Sequence, residues 1–276
     1  MALNLKRKIH NLFHPVVGEI WCLHRVMPER SNFAANRDLE ITPEYLEQLI
    51  SNRLSQGYRF VDIDAFIDAS HRIMSRRLIS ISFDDGFADI FTHAYPILKK
   101  YDIPFTIYLT TDMPDGKADL WWLQLEQIAN GDNRWFDQAI NDIYSSNKGF
   151  AAAMHAITSS TPDAALCQQQ ALSWEQLRTM LSEGLCTIGS HGVSHSALSL
   201  LTETQTLHEL QESKKRIEEM LGIDVRHFSY PHSFYNETTS HLVWQAGYHS
   251  AVIGYGGKTR FNTRNRFFYR SYIVQP

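Results

Sequence analysis

Three short segments of this chain carry the residue types that hydrolytic and metal chemistry needs. The first is Asp84-Asp85-Gly86, directly after an apolar run at 78–83. Two adjacent carboxylates in one tight turn repel each other. A divalent cation held by one of them removes that repulsion and leaves the other free as a base. Gly86 permits the sharp turn, although the same triplet also occurs in plain surface turns. The second segment is Ser190-His191-Gly192-Val193-Ser194-His195. On a helical turn, residues four apart share a face with Cβ atoms about 5–6 Å apart, near enough for two imidazoles to bind one metal. With Asp85 the set becomes two histidines and one carboxylate, which leaves coordination positions open for water and substrate. The third is Phe228-Ser229-Tyr230-Pro231-His232-Ser233. A proline turn at a strand end can aim backbone N–H groups at a developing oxyanion.

The elements around these segments alternate. Stretches 19–24, 59–62, 78–83, 105–109, 185–188, 226–230, 250–253 and 267–274 read as strands. Helical patterns lie between them: one opened by Thr42 and Pro43 and ended near Gly57, then 90–101, 202–221 and 238–246. Strand–helix–strand alternation implies parallel pairing with crossover helices, and in such barrels functional residues sit at the carboxyl ends of the strands. From 119 to 180 the period is helical throughout, which reads as a helical insertion. Repeats, low-complexity tracts and Pro/Gly/Ser-rich linkers are absent from the sequence, so 1–276 reads as a single domain.

Ser82-Phe83-Asp84-Asp85-Gly86, His191-x-x-x-His195 and Tyr230-Pro231, in that order, resemble the polysaccharide deacetylases with the NodB homology domain, carbohydrate esterase family 4. Leu23-His24-Arg25-Val26 is similar to the Tyr-His-Arg-Val start of many such proteins. Segments 105–111 and 120–126 are also similar, so the likeness spans most of the chain. The resemblance implies an α/β fold, a distorted (β/α)7 barrel with a helical insertion, and hydrolysis of an N-acetyl group on an amino sugar. It implies Asp85, His191 and His195 as ligands of a divalent metal, usually zinc, and Asp84 as the base acting on metal-bound water. His232 falls at the family's tyrosine position, where its backbone N–H would hold the oxyanion beside Tyr230 and Pro231.

The chain also departs from the family pattern. The Leu-x-His motif that supplies the acid near the C-terminus in many members is missing, as is the arginine before the Pro-Tyr turn. His24, at the end of the first strand, is expected to point into the site as the general acid; the plainer alternative is a buried histidine bonded to backbone. Arg270, in the last strand, is expected to pair with Asp84 if the barrel closes. Trp121 and Trp122 are expected to wall a sugar site, with only one of these adjacent positions facing it and the other in the core. Asp112 reads as a rim residue or a turn cap.

Composition narrows the partners. With 26 Lys+Arg against 30 Asp+Glu the formal charge is −4, which gives no footprint for nucleic acid. Three cysteines without a C-x-x-C pair exclude a thiolate zinc cluster. The N-terminal cations Lys6, Arg7 and Lys8 are not followed by the unbroken apolar run of about 7–15 residues that a secretory signal needs. A cytoplasmic location is therefore expected, which favours a lipid-linked or nucleotide-linked sugar over a finished polymer. Leu5, Ile9, Leu12 and Phe13 at helical spacing suggest a basic helix, either packed on the domain or in peripheral contact with an anionic membrane. An O-deacetylase, an N-deformylase, a degenerate carbohydrate-binding barrel and a magnesium phosphohydrolase are the competing readings; the two spaced histidines weigh against the last.

Overall fold

Seven parallel strands close into a ring. They are β1 (Val16–Leu23), β2 (Leu78–Asp85), β3 (Phe105–Leu109), β4 (Cys186–Ser190), β5 (His227–Ser229), β6 (Ser250–Gly256) and β7 (Phe267–Tyr272). Each pairs with the next, and both β7 and β2 pair with β1, so the ring has no open edge. The computed structural model describes residues 15–72, 77–146, 149–262 and 266–276. Residues 5–13, where the sequence suggests a basic helix, lie outside them. Among the described residues no helix is long and apolar enough to cross a membrane.

Strand alternation fills the barrel and positions the site. In β2, Ile79, Ile81 and Phe83 enter the core beneath the surrounding helices, while Ser80, Ser82 and Asp84 take the opposite face, as a period of two requires. The lower barrel interior is apolar: Ile20, Tyr108, Val252 and Phe268 pack together. Register then places the carboxyl ends of the strands on one rim, with Leu23 opposite Phe83, Asp85 opposite Leu109 and Leu109 opposite Ser190. Outside the ring, helix Pro43–Ser55 starts where the Thr42 side chain accepts from the Tyr45 N–H. Helices Trp174–Ser182 and Glu203–Leu221 each begin with a reciprocal capping box.

Four helices, Trp121–Ala129, Asn133–Tyr144, Phe150–Thr158 and Ala164–Gln170, share a second apolar core that includes Trp122, Phe136, Phe150 and Met154, together with Phe33, Phe87 and Met113 from outside them. Helix Trp174–Ser182 instead buries Trp174, Leu177 and Met180 in the barrel core, so it covers the barrel although it lies within 119–180. Other stretches differ in extent. The strand expected at 59–62 is Arg59–Phe60, and the last strand stops at Tyr272, short of Val274. The helical pattern at 90–101 opens with a π turn, Ile90–Ala94. Two short strands, Arg25–Val26 and Glu40–Ile41, pair beside the barrel. The three cysteines are buried and unpaired.

Candidate active site

The end of β2 turns abruptly. Asp85 has φ +73° and Gly86 φ +104°, and a Cβ on Gly86 would meet Leu109 Cδ1 at 2.5 Å. This bend separates the two carboxylates. Asp84 stays inside the barrel, whereas Asp85 turns toward the histidines of the β4 loop.

Asp84 is held by a closed set of donors. Arg270 donates from Nη1 to Oδ1 at 2.7 Å and from Nη2 to Oδ2 at 2.5 Å. Ser229 Oγ and the Cys22 thiol also donate to Oδ2. Arg270 in turn donates to Ser82 Oγ, Ser229 Oγ and the Ile253 carbonyl. Burial opposes ionisation of Asp84, but Arg270, with His191, outweighs it and holds the carboxyl below its ordinary value. Burial pushes the Cys22 thiol up, so it stays a donor.

Asp85 has the opposite character. Its Oδ1 lies 3.2 Å from His195 Nε2 and 3.5 Å from His191 Nε2, yet it makes no hydrogen bond among the described residues. His191 donates Nδ1–H to the Ser229 carbonyl at 2.7 Å. A carbonyl only accepts, so the proton sits on Nδ1 and Nε2 presents a lone pair. Burial pulls the His191 pKa down to about 4, which keeps that lone pair free near neutral pH. One ligand atom from each of Asp85, His191 and His195 lies within 4.8 Å of the others. Nitrogen donors plus one oxygen, converging on a buried carboxylate oxygen without a partner, fit a borderline divalent cation such as zinc.

The histidine pair does not ride on a helix, as its spacing suggested. Residues 191–197 form an irregular loop, with Gly192 at φ +83° and His195 at φ +60°. Glu209 sets its shape from helix Glu203–Leu221. The carboxylate accepts from the N–H groups of Val193 and Ser194 at 2.7 and 3.0 Å, and from Ser194 Oγ at 2.6 Å. Glu209 lies on a charged helix, and nothing in its spacing marked it.

A cavity of about 300 Å³ opens above these groups, lined by His24, Asp84, Asp85, His191, His195 and His232, with an aromatic wall on one side. Both Trp121 and Trp122 line it, which corrects the expectation that one turns away. They begin helix Trp121–Ala129, and side chains lean toward a helix's N-terminus, so both first positions reach the same space. Trp122 packs 5.3 Å from His195, while Trp121 packs against Phe150. Tyr230 lines the cavity but is 1% exposed and packs against Phe228 and Phe267. Pro231 is buried in a 3-10 turn, and His232 follows in a left-handed conformation (φ +56°). The His232 ring itself enters the cavity, 4.4 Å from His195 and 4.7 Å from Phe150.

His24 also reaches the cavity, beside Tyr272, and burial keeps its pKa below the ordinary histidine value. Its neighbour Arg25 points elsewhere and donates to Asp89 and Gln170, tying the first loop to the β2 turn and the insertion. Asp112 does not line the cavity. It closes a turn in which its carbonyl accepts from the N–H groups of Lys117 and Ala118.

The ring of seven parallel strands carries two aspartates and two histidines at its carboxyl rim. The polysaccharide deacetylase family model matches residues 71–251. The chain therefore belongs to the polysaccharide deacetylases. That match takes in Asp84, Asp85, His191, His195 and His232, and excludes His24 and Arg270. The Bacillus subtilis (strain 168) protein YxkH, whose name assigns it to the polysaccharide deacetylases, is 26% identical over 178 residues, 64% of this chain and 45% of that protein. The matched part is thus under half the length of this curated relative. Among solved structures, the Streptococcus pyogenes deacetylase PplD in complex with acetate superimposes with a TM-score of 0.69 at 19% identity, covering 94% of this chain and 93% of that one. IcaB from Ammonifex degensii gives 0.66 at 20% identity, covering 94% and 92%.

Proposed function

We propose that this protein is a zinc-dependent carbohydrate deacetylase that hydrolyses the N-acetyl group of an amino sugar in a glycan or glycan precursor. One observation carries this reading. The buried, unpartnered Asp85 Oδ1 faces two imidazole nitrogens, beside a second carboxylate, Asp84, that a buried arginine holds separately. A cation held by Asp85, His191 and His195 supplies an acidified water and a Lewis acid for the acyl oxygen.

Asp84 accepts the proton of the attacking water, and Arg270 keeps it ionised and oriented for that step. The amine leaves poorly unless it is protonated. His24 is neutral at rest, so its proton comes from Asp84; a ring nitrogen of His24 lies within 4.8 Å of an Asp84 oxygen. That transfer returns Asp84 to its ionised state and delivers the water's proton to the leaving nitrogen. The His232 N–H supports the oxyanion, and Tyr230 and Pro231 place it. Trp121 and Trp122 present apolar faces to the sugar ring. A lipid-linked or nucleotide-linked amino sugar in the cytoplasm is the substrate class we favour.

Acid release is the test: acetate from N-acetylated oligosaccharides, lipid-linked and nucleotide-linked N-acetyl sugars and O-acetyl sugars, and formate from N-formyl analogues. The expected result is release from an N-acetyl substrate that a chelator abolishes. Turnover of O-acetyl or N-formyl substrates alone would reassign the acyl group. No turnover of any would favour a barrel that binds carbohydrate without hydrolysing it.

A further inference from the structure

The two histidines of the site are not held alike. His191 has its Nδ1 proton fixed by the Ser229 carbonyl, but His195 Nδ1 is buried and meets no hydrogen-bond partner among the described residues. His195 lines a second, very small cavity of about 10 Å³, together with Asp85, Thr110 and Asp119. Each of these residues contributes a buried polar atom without a partner: His195 Nδ1, Asp85 Oδ1, Thr110 Oγ1 and Asp119 Oδ1. Asp85 Oδ1 is the atom assigned to the cation, which leaves His195 Nδ1, Thr110 Oγ1, Asp119 Oδ1 and the Nε1–H of Trp122, which lines the same space, to be accounted for, because buried polar groups are almost always hydrogen-bonded. A space of about one probe sphere, with two to four polar partners, holds a single water.

Asp119 is anchored from its other side. Its Oδ2 lies 2.8 Å from His155 Nε2, and His155 Nδ1 lies 2.8 Å from Ser160 Oγ, which contacts Thr158 Oγ1 at 2.7 Å. An ionised carboxylate only accepts, so His155 carries its proton on Nε2 and accepts the Ser160 hydroxyl at Nδ1. This brace leaves Asp119 Oδ1 as the free oxygen.

We propose that Asp119 is a positioning residue for His195, acting through one water in the small cavity. The water accepts Nδ1–H from His195 and donates one proton to Asp119 Oδ1 and the other to Thr110 Oγ1. His195 is thereby fixed in the tautomer that presents Nε2 to Asp85. The inference rests on the reading of Asp85, His191 and His195 as metal ligands. Histidine ligands usually donate their second nitrogen to a carboxylate, carbonyl or water, and loss of that partner costs roughly 10–100-fold in metal affinity.

The test is a zinc titration of the chelator-stripped full chain against a competing colorimetric chelator. Wild type, Asp119→Asn, Asp119→Ala and His195→Ala are compared, and NMR follows the His195 Nδ1–H proton in the zinc-loaded protein. Asp119→Ala is expected to bind zinc about 10–100-fold more weakly. The isosteric Asp119→Asn turns its amide N–H toward the water and is expected to lose about 10-fold, with the Nδ1–H signal exchanging faster; it carries the test if Asp119→Ala does not fold. Wild-type affinity in both Asp119 variants, with binding lost in His195→Ala, overturns the role of Asp119 alone. Weakened binding with an unchanged Nδ1–H signal overturns it too. Equal zinc binding by wild type and His195→Ala overturns the metal reading and this inference together.

Discussion

Arg270 and Asp84, 186 residues apart, meet through two parallel hydrogen bonds inside the barrel, with side chains 1% and 4% exposed. Neither charge is sustainable there alone. Arg270→Ala leaves a buried, uncompensated carboxylate, and we expect a loss of about 3–5 kcal/mol in unfolding free energy. Burial then acts on Asp84 unopposed by its main counter-charge, so its pKa rises. The acid limb of the kcat/KM profile should shift to higher pH, measured on the folded fraction. Arg270→Lys retains the charge but not the bidentate fork, and should fall between the two.

Glu209 determines the shape of the histidine loop from a distance in sequence. Glu209→Ala removes three acceptor contacts, two of them to backbone N–H groups that are left without a partner. With hydrogen bonds to charged groups contributing about 1.5–3 kcal/mol each and not additively, we expect about 2–4 kcal/mol of destabilisation by denaturant unfolding. Deacetylation should fall with it. Glu209→Gln keeps an acceptor oxygen and should recover most of both. Equal stability of wild type and Glu209→Ala would contradict the clamp.

Acid sensitivity follows from His191. Burial lowers its pKa from the ordinary 6.5 to about 4, so between those values the unfolded chain binds more protons than the folded one. Stability from this group is complete above pH 6.5 and is lost as pH falls toward 4. Chelator-stripped wild type should therefore melt progressively lower across that window, and His191→Gln should show a flatter profile there. A wild-type melting temperature constant from pH 6.5 to 4 would remove the effect.

His24 is assigned to proton delivery, a role worth about 10²–10⁴-fold in turnover when a positioned acid is removed. His24→Ala should lose turnover in that range while binding zinc as wild type does, because His24 is outside the Asp85–His191–His195 set. Turnover near wild type would show that the leaving amine takes its proton from another group.

The barrel was readable because apolar runs of strand length alternate with helical periods, and because parallel strands must deliver their polar ends to one rim. The segments bearing Asp84, His191 and His232 were visible on that ground. The mode of delivery was not. Four-residue spacing suggests a helical turn, yet Gly192 and His195 adopt left-handed backbone and Glu209 fixes the loop, a tertiary contact with no local signature. Adjacent tryptophans suggest opposite faces, but at the start of a helix both lean the same way. Arg270 could be placed opposite Asp84 only by assuming that the last strand closes on the first. Asp119 and its brace through His155 lie inside a helical stretch whose folding against the rim no periodicity reveals.

The central claim is that Asp85, His191 and His195 hold the cation on which deacetylation depends. Its most direct test is the initial rate of acetate release by chelator-stripped protein as zinc is added back. We expect no release without zinc, a rise that saturates at one equivalent per chain, and no recovery in His191→Ala at the same zinc concentrations. Release that persists in the stripped protein, or that zinc restores equally in His191→Ala, would contradict it.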